Sequence, residues 1–193
     1  MSLTTGKKLI FLGAALVVLD QVTKILVKTN MCLGESSPVF GDFLRICFVE
    51  NEGMAFGMKW GGVVGKILLS TFRPALFGFL CWWMSRLVRR RNADIAAGQV
   101  PSVPVGVLVG LALIAAGAFG NIIDCWFYGL VFSASGPVTI ASFGGSYAPF
   151  MMGRVVDMIS FSFFPPVFNV ADSCVSVGAV YLVLFHWKFF SKD

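Results

Sequence analysis

Two Asn-x-x-Asp segments, Asn121-Ile122-Ile123-Asp124 and Asn169-Val170-Ala171-Asp172, and a lone acid between them, Asp157 in the apolar stretch Val155 to Phe164, are the residues of this sequence best placed to do chemistry. On a helix the i,i+3 spacing sets amide and acid on one face. Two carboxylates held close in apolar surroundings cannot both ionise, so one keeps a proton at neutral pH while the other acts as a base. That arrangement can activate a water to attack an amide. Asp172 opens a predicted helix, whose dipole stabilises its anion, whereas Asp124 closes one and lacks that help. Spacing alone makes Asp172 one member of a pair and leaves Asp124 and Asp157 as alternatives for the other.

The elements that must hold these acids follow from composition. The chain has 193 residues, 57% hydrophobic and only 13% charged, with a mean hydropathy of +0.83, against about 25% charged in soluble domains. Such a chain needs a bilayer to cover its apolar surface. A disordered chain, a nucleic-acid-binding arm and an ordinary cytosolic enzyme are excluded. The net charge of +5 comes from fifteen cations scattered among apolar runs; they form no continuous basic face, so they report topology rather than a nucleic-acid partner.

A hydrocarbon core of about 30 Å takes about 20 helical residues, and four runs qualify, at about 9–27, 67–87, 103–123 and 167–187. The first follows Lys7 and Lys8 but has no small-residue cleavage site and is read as a retained span. Pro101 and Pro104 suit the start of the third, whose Gly106, Gly110, Gly117 and Gly120 offer a small-residue face for close packing. The expected architecture is an all-α membrane protein, one integral membrane domain over 1–193, with outer-face segments 28–66 and 124–166. Four spans put both termini on one side. Lys7, Lys8, Arg86, Arg89, Arg90, Arg91, Lys188 and Lys192 flank that side, which the positive-inside rule makes cytoplasmic. Glu35, Asp42, Glu50, Glu52, Asp124, Asp157 and Asp172 fall at or near the other face, so carboxylate chemistry belongs at the outer leaflet.

Other polar residues need partners. Asp20 and Lys24, inside the first span, are four apart with the acid N-terminal, the better order for an ion pair. Arg73, beside Pro74, can snorkel outward or meet a carboxylate. Cys32, Cys47, Cys81, Cys125 and Cys174 have no metal-ligand spacing with one another or with His186, so no metal site is expected. Ser173 and His186 lie some four turns apart on one predicted helix and cannot pair within it. Residues 39–50 are β-prone and predict a short hairpin or half-barrel on the membrane surface, the small β-rich segment of an otherwise helical chain. Residues 133–149, rich in Gly, Ser and Pro, read as a loop.

Taken together, the segments resemble the lipoprotein signal peptidases, the signal peptidase II family of bacterial intramembrane aspartyl proteases. The matching stretches are Asp20-Gln21-Val22-Thr23-Lys24, Asn51-Glu52-Gly53-Met54-Ala55-Phe56, Gly120-Asn121-Ile122-Ile123-Asp124, Val155-Val156-Asp157 and Phe168-Asn169-Val170-Ala171-Asp172-Ser173. Each is short, but five in order on four spans are specific. The resemblance implies an aspartic endopeptidase of the bacterial inner membrane that cuts signal peptides from diacylglyceryl-modified prolipoproteins just before the lipidated Cys. It implies Asp157 and Asp172 as the catalytic pair, with Asn121, Asp124 and Asn169 positioning them and Asp20, Lys24, Asn51 and Gly53 supporting the site or the substrate. No cofactor or metal is implied. The expected partners are the prolipoproteins and membrane lipids, with no nucleic acid and a monomeric state.

Two departures stand out. Cys125 occupies the position after Asp124 where the family usually has Arg, so any contact made by that Arg is either absent or supplied by another residue such as Arg73 or Arg154. The stretch between Asp124 and Asp157 is longer than in the family, and the Gly/Ser/Pro loop looks like an insertion. The segment 30–60, with Phe48, Phe56 and Trp60, is expected to lie on the membrane surface as a platform or lid. The rival class is a small ion- or proton-coupled transporter using intramembrane carboxylates; it leaves unexplained why three acids gather at one interface.

Overall fold

The computed structural model describes residues 4–51 and 62–191. Among them are four helices long and apolar enough to cross a membrane, Thr5–Asn30, Gly65–Ala96, Val105–Val131 and Val170–Phe190. The first is α1 (Thr5–Asn30), 26 residues without a break, or about 39 Å at about 1.5 Å per residue. A hairpin of β1 (Ser36–Phe40) and β2 (Leu44–Asn51) follows. Helix α2 (Gly62–Ala96) carries Pro74 inside it. Helix α3 (Val105–Ile123) starts directly after Pro104, whose extended backbone caps it. It runs on through a widened π turn, Asp124–Tyr128, into a last turn, α4 (Gly129–Val131). The third span therefore ends later than the hydropathy predicted, and the π turn falls at an acid of the predicted site. Such bulges are frequent at functional positions.

After the 132–154 loop, β3 (Val155–Phe161) and β4 (Phe164–Phe168) complete a four-stranded antiparallel sheet in the order β1-β2-β3-β4. Helix α5 (Val170–Phe190) closes the fold. Four long helices with a small β-rich part are what the sequence predicts, but the sheet takes in more of the chain than residues 39–50. The apolar stretch Val155 to Phe164 of the outer-face segment 124–166, together with the first residues assigned to the last span, forms a hairpin over 155–168. Pro165 and Pro166 cannot donate to a ladder, which suits β4 to the edge it occupies; Pro38 does the same for β1 at the other edge.

The helices α3 and α5 make the closest packing in the molecule. A side chain at Gly117 would collide with the Ala171 carbonyl, and one at Gly178 would lie 2.8 Å from the Gly110 carbonyl, so the small-residue face of α3 is occupied by α5. Two apolar clusters result. One joins Leu9, Leu87, Val107, Leu108, Leu111 and Leu182 across the helices. The other lies at the sheet end of the bundle, where Phe48, Tyr128, Phe132, Val156 and Met158 pack with Val27. Phe48 is fully buried there and is no surface aromatic, contrary to the platform expectation. Phe56 and Trp60 lie outside the described residues.

Candidate active site

The C-terminal ends of α1 and α3, the N-terminus of α5 and strand β3 meet at the sheet end of the bundle. The helix start is built by its own sequence. Asn169 caps α5 and accepts a hydrogen bond from the Asp172 backbone N–H at 2.8 Å, while a carboxylate oxygen of Asp172 accepts from the Asn169 N–H at 3.4 Å, a reciprocal capping box. This leaves the Asn169 amide free to donate across to Asp157 Oδ1 at 2.6 Å. Asp157 Oδ2 accepts from Asn51 Nδ2 on the neighbouring strand at 3.3 Å. Asn121, one turn from the end of α3, donates to Asp172 Oδ1 at 2.8 Å and accepts from Asn169 at 3.2 Å.

The two asparagines thus bridge Asp157 to Asp172, and each of the four carboxylate oxygens has a protein donor with acceptor capacity left over. Burial, and next the charge of Asp172, push the Asp157 carboxyl up to about 7, against the hydrogen bonds of Asn51 and Asn169 and the charge of Lys24, which act the other way. A carboxyl poised there can exchange a proton at neutral pH. Both acids open onto a cavity of about 870 Å³ lined also by Asn51, Arg73 and Asn121, and otherwise mainly by apolar side chains of α2, α3, α5 and the β3–β4 hairpin, Phe77, Phe161 and Phe164 among them.

Behind the bridge sits a second, fully buried group. Lys24 Nζ contacts Asp20 at 2.9 Å and Asp124 at 2.8 Å, and donates to Asn121 Oδ1 at 2.8 Å. Asp20 accepts from the Ala171 N–H at 2.8 Å, at the positive end of α5, and Asp124 accepts from the Val156 N–H at 3.3 Å. One ammonium therefore ties α1, α3, β3 and α5 together around the residues that orient the acids. Gly120 is required here, because a Cβ would lie 2.6 Å from Asp20 Oδ2. Gln21, quoted above only as part of a motif, belongs to the group: it donates to Asp124 at 3.0 Å and accepts from Tyr128 at 3.2 Å.

The two alternatives left open by spacing, Asp124 and Asp157, are now separated by geometry. Asp124 faces Lys24 and the backbone of β3, and Asp157 and Asp172 share the cavity. Of the predicted supporting residues, Asp20, Lys24, Asn51, Asn121, Asp124 and Asn169 come together; Gly53 lies outside the described residues. Arg73 approaches Cys125, its Nη1 3.7 Å from Sγ, and lines the cavity, whereas Arg154 pairs with Glu50 at 3.1 Å. Ser173 donates to the Asn169 carbonyl at 2.9 Å and His186 lies 3.2 Å from the Tyr181 hydroxyl, so neither serves the other. Sequence reasoning missed Lys28, the first residue of the outer-face segment 28–66. Its side chain is 0% exposed and paired with Glu50, and its place one turn beyond Lys24 on the same face of α1 was the available signal.

Fold and site together define a multi-pass helical membrane protein with a bridged pair of carboxylates facing an apolar cavity. Known proteins narrow this further. The sequence profile of the signal peptidase (SPase) II family matches residues 12–188. A lipoprotein signal peptidase of Porphyromonas gingivalis is 41% identical over 94% of this chain and 84% of its own length, and one of Chlorobium phaeobacteroides is 32% identical over 96% and 99%. A solved structure described as a bacterial membrane enzyme, obtained by the in meso method at 2.3 Å resolution, superposes with a TM-score of 0.61 at 27% identity, covering 96% of this chain and 90% of that one. The chain belongs to the signal peptidase II family and is a peptidase.

Proposed function

We propose that this chain is an intramembrane aspartic endopeptidase that removes signal peptides from diacylglyceryl-modified prolipoproteins, cutting before the lipidated Cys, with Asp157 and Asp172 as the catalytic pair. The observation that carries this reading is the Asn121–Asn169 bridge, which holds both carboxylates at the head of one apolar cavity. Such a cavity suits a substrate that is itself apolar, a signal sequence followed by an acylated residue. The relatives' name, lipoprotein signal peptidase, supplies the substrate class.

In the mechanism, Asp157 holds the proton of the pair. Asp172 takes a proton from a water as its oxygen attacks the scissile carbonyl carbon, and Asp157 gives its proton to the carbonyl oxygen. The gem-diol then collapses: the C–N bond breaks, the amine of the Cys residue leaves with the proton held by Asp172, and one hydroxyl proton returns to Asp157. Asn121, Asn169 and Asn51 fix the directions of the two carboxylates, and Asp20, Lys24 and Asp124 hold the elements that carry them. Gly53 is assigned to substrate support.

We place the protein in the bacterial inner membrane as a monomer, among membrane lipids, with both termini cytoplasmic and the site near the outer face. The transporter alternative requires polar groups along a path. Among the described residues the buried charged groups Asp20, Lys24, Lys28, Lys66, Asp124 and Asp157 belong to the sheet end, and the other end is packed with apolar side chains.

Purified protein in detergent, given a diacylglyceryl-prolipoprotein, is expected to release the signal peptide, seen as a mobility shift. Asp157→Asn and Asp172→Asn should each lower the rate by at least about a hundred-fold, the usual contribution of a positioned acid or base. Normal processing by both variants would refute the pair, and ion flux into vesicles by a protein unable to cleave would favour transport.

A further inference from the structure

The site side of the sheet carries Asn51 and Asp157; its back carries a charged cluster that the chemistry does not use. Glu50, 2% exposed in its side chain, pairs with Lys28 and with Arg154, the latter at 3.1 Å. Ser135 Oγ donates to Glu50 at 2.9 Å and accepts from Lys28 Nζ at 2.9 Å. The Lys28 ammonium sits among three rings, 4.9 Å from the centroid of Tyr147, 5.5 Å from Phe132 and 5.9 Å from Phe48, and Tyr147 Oη accepts from the Arg154 backbone N–H at 2.8 Å. Ser135, Tyr147 and Arg154 all come from the 132–154 loop, which is also pinned to the α1–β1 connection through Leu33 N–H to the Gly136 carbonyl at 2.9 Å.

The backbone shows what this cluster has to fix. In the β2–β3 ladder Ile46 opposes Ile159 but Val49 opposes Asp157, so the register shifts between them. Strand pairing on one side of such an irregularity does not dictate which face the next residues take, and a slip by one residue turns every side chain over. Asn51, at the last paired position of β2, depends on that choice. Glu50 is its neighbour and points to the opposite face, where burial raises its carboxyl but the bonds from Lys28, Ser135 and Arg154 outweigh that and hold it below the usual range. An apolar back face would be about as stable as a buried ion cluster, but it would accept more than one register.

We propose that the loop 132–154 is the backing of the sheet, and that Lys28, Glu50, Ser135 and Arg154 are positioning residues. They lock strand β2 in the register that directs Asn51 onto Asp157. The inference rests on the reading of Asp157 as a catalytic carboxylate, and it assigns a purpose to the segment that lengthens this chain between Asp124 and Asp157. Among the described residues, the groups that face Asp157 directly are Asn51 from β2, Asn169 and Asp172 from the start of α5 and Lys24 from α1, with Arg73 of α2 lining the same cavity and Asp124 bonded to the adjacent Val156 N–H. None of the latch residues is among them; of the groups bonded to Asp157, Asn51 is the one carried by the strand that the latch holds.

The test is the titration of Asp157, followed by infrared difference spectroscopy on the full-length protein in detergent, with Asp157→Asn identifying the carboxyl band. Lys28→Met/Glu50→Gln removes one charge of each sign and leaves the net charge unchanged. It is expected to tighten proton binding at Asp157 about three- to ten-fold, as loss of one hydrogen bond to the carboxylate would. Ser135→Ala should do the same to a smaller degree, and Asn51→Ala should match the double variant and make it silent when the two are combined. The inference is overturned if Ser135→Ala and the double variant titrate as the unmodified protein does, or if their effects add in full to that of Asn51→Ala. Should the double variant not fold, Ser135→Ala, which removes only a hydroxyl, decides the matter. The spectrum needs no substrate, so a chain that failed to cleave a prolipoprotein would refute the peptidase reading while the latch result stayed readable.

Discussion

Asp157 is where burial and charge act most directly on a single group. Its carboxyl, at about 7 against an ordinary 3.8, binds its proton more tightly in the folded chain than in the unfolded one. The stabilisation linked to that proton is therefore complete below about pH 4 and is lost as pH rises through about 7. Asp157→Asn cannot ionise, so it should escape this loss: thermal melts in detergent at pH 5 and pH 8 are expected to show the unmodified protein falling relative to the variant at pH 8. Between pH 5 and pH 8 the upper bound on the difference is about 3 kcal/mol, and equal pH dependence in the two proteins would remove Asp157 as the titrating group. Spacing singled out the three acids but left Asp124 and Asp157 open as partner to Asp172; the family resemblance implied Asp157, and the structure sets Asp157 and Asp172 on one cavity. Asp124 and Asp172 share one motif pattern, yet Asp124 faces an ammonium and Asp172 faces the cavity. Spacing along a helix says which residues share a face but not what the face meets.

At the level of elements, the α3–α5 contact and the capping box of α5 place the site. Gly117 stands against the Ala171 carbonyl, one residue before Asp172. Gly117→Ala should displace the start of α5 and with it Asp172, lowering kcat at least about ten-fold with KM less affected. Gly106→Ala comes nearest to the His186 and Tyr181 side chains at the opposite end of the same helix pair and should cost far less activity; equal losses in the two variants would refute this view of α3. The helices were legible because an apolar run of about 20 residues has few other uses. The β3–β4 hairpin was not, since Val155 to Phe168 is apolar on both of its faces, packed at the back and lining the cavity at the front, and so shows none of the alternation that marks a half-exposed strand. The β1–β2 hairpin, with polar residues interspersed, was visible.

At the scale of the whole molecule, charge distribution carries the topology. In a chain freed of its native cysteines, Gln99→Cys in the loop between α2 and α3 and Val138→Cys at the tip of the 132–154 loop, itself 91% exposed, report opposite ends of the bundle. A membrane-impermeant thiol reagent should label the second in intact spheroplasts and the first only after permeabilisation; the reverse pattern would invert the orientation and place the candidate site on the cytoplasmic side. The sequence by itself determined the four long apolar helices, because hydropathy and length are properties of the chain read in order. It also determined, through five short motifs, the family and the residues around which the site forms. Only the tertiary structure showed that Asn121 and Asn169 bridge Asp157 to Asp172, that Lys24 joins four elements and that Lys28 is buried against the 132–154 loop. Those contacts join residues from 12 to 151 positions apart, and their energies depend on distance and on the exclusion of water, neither of which is written in the linear order.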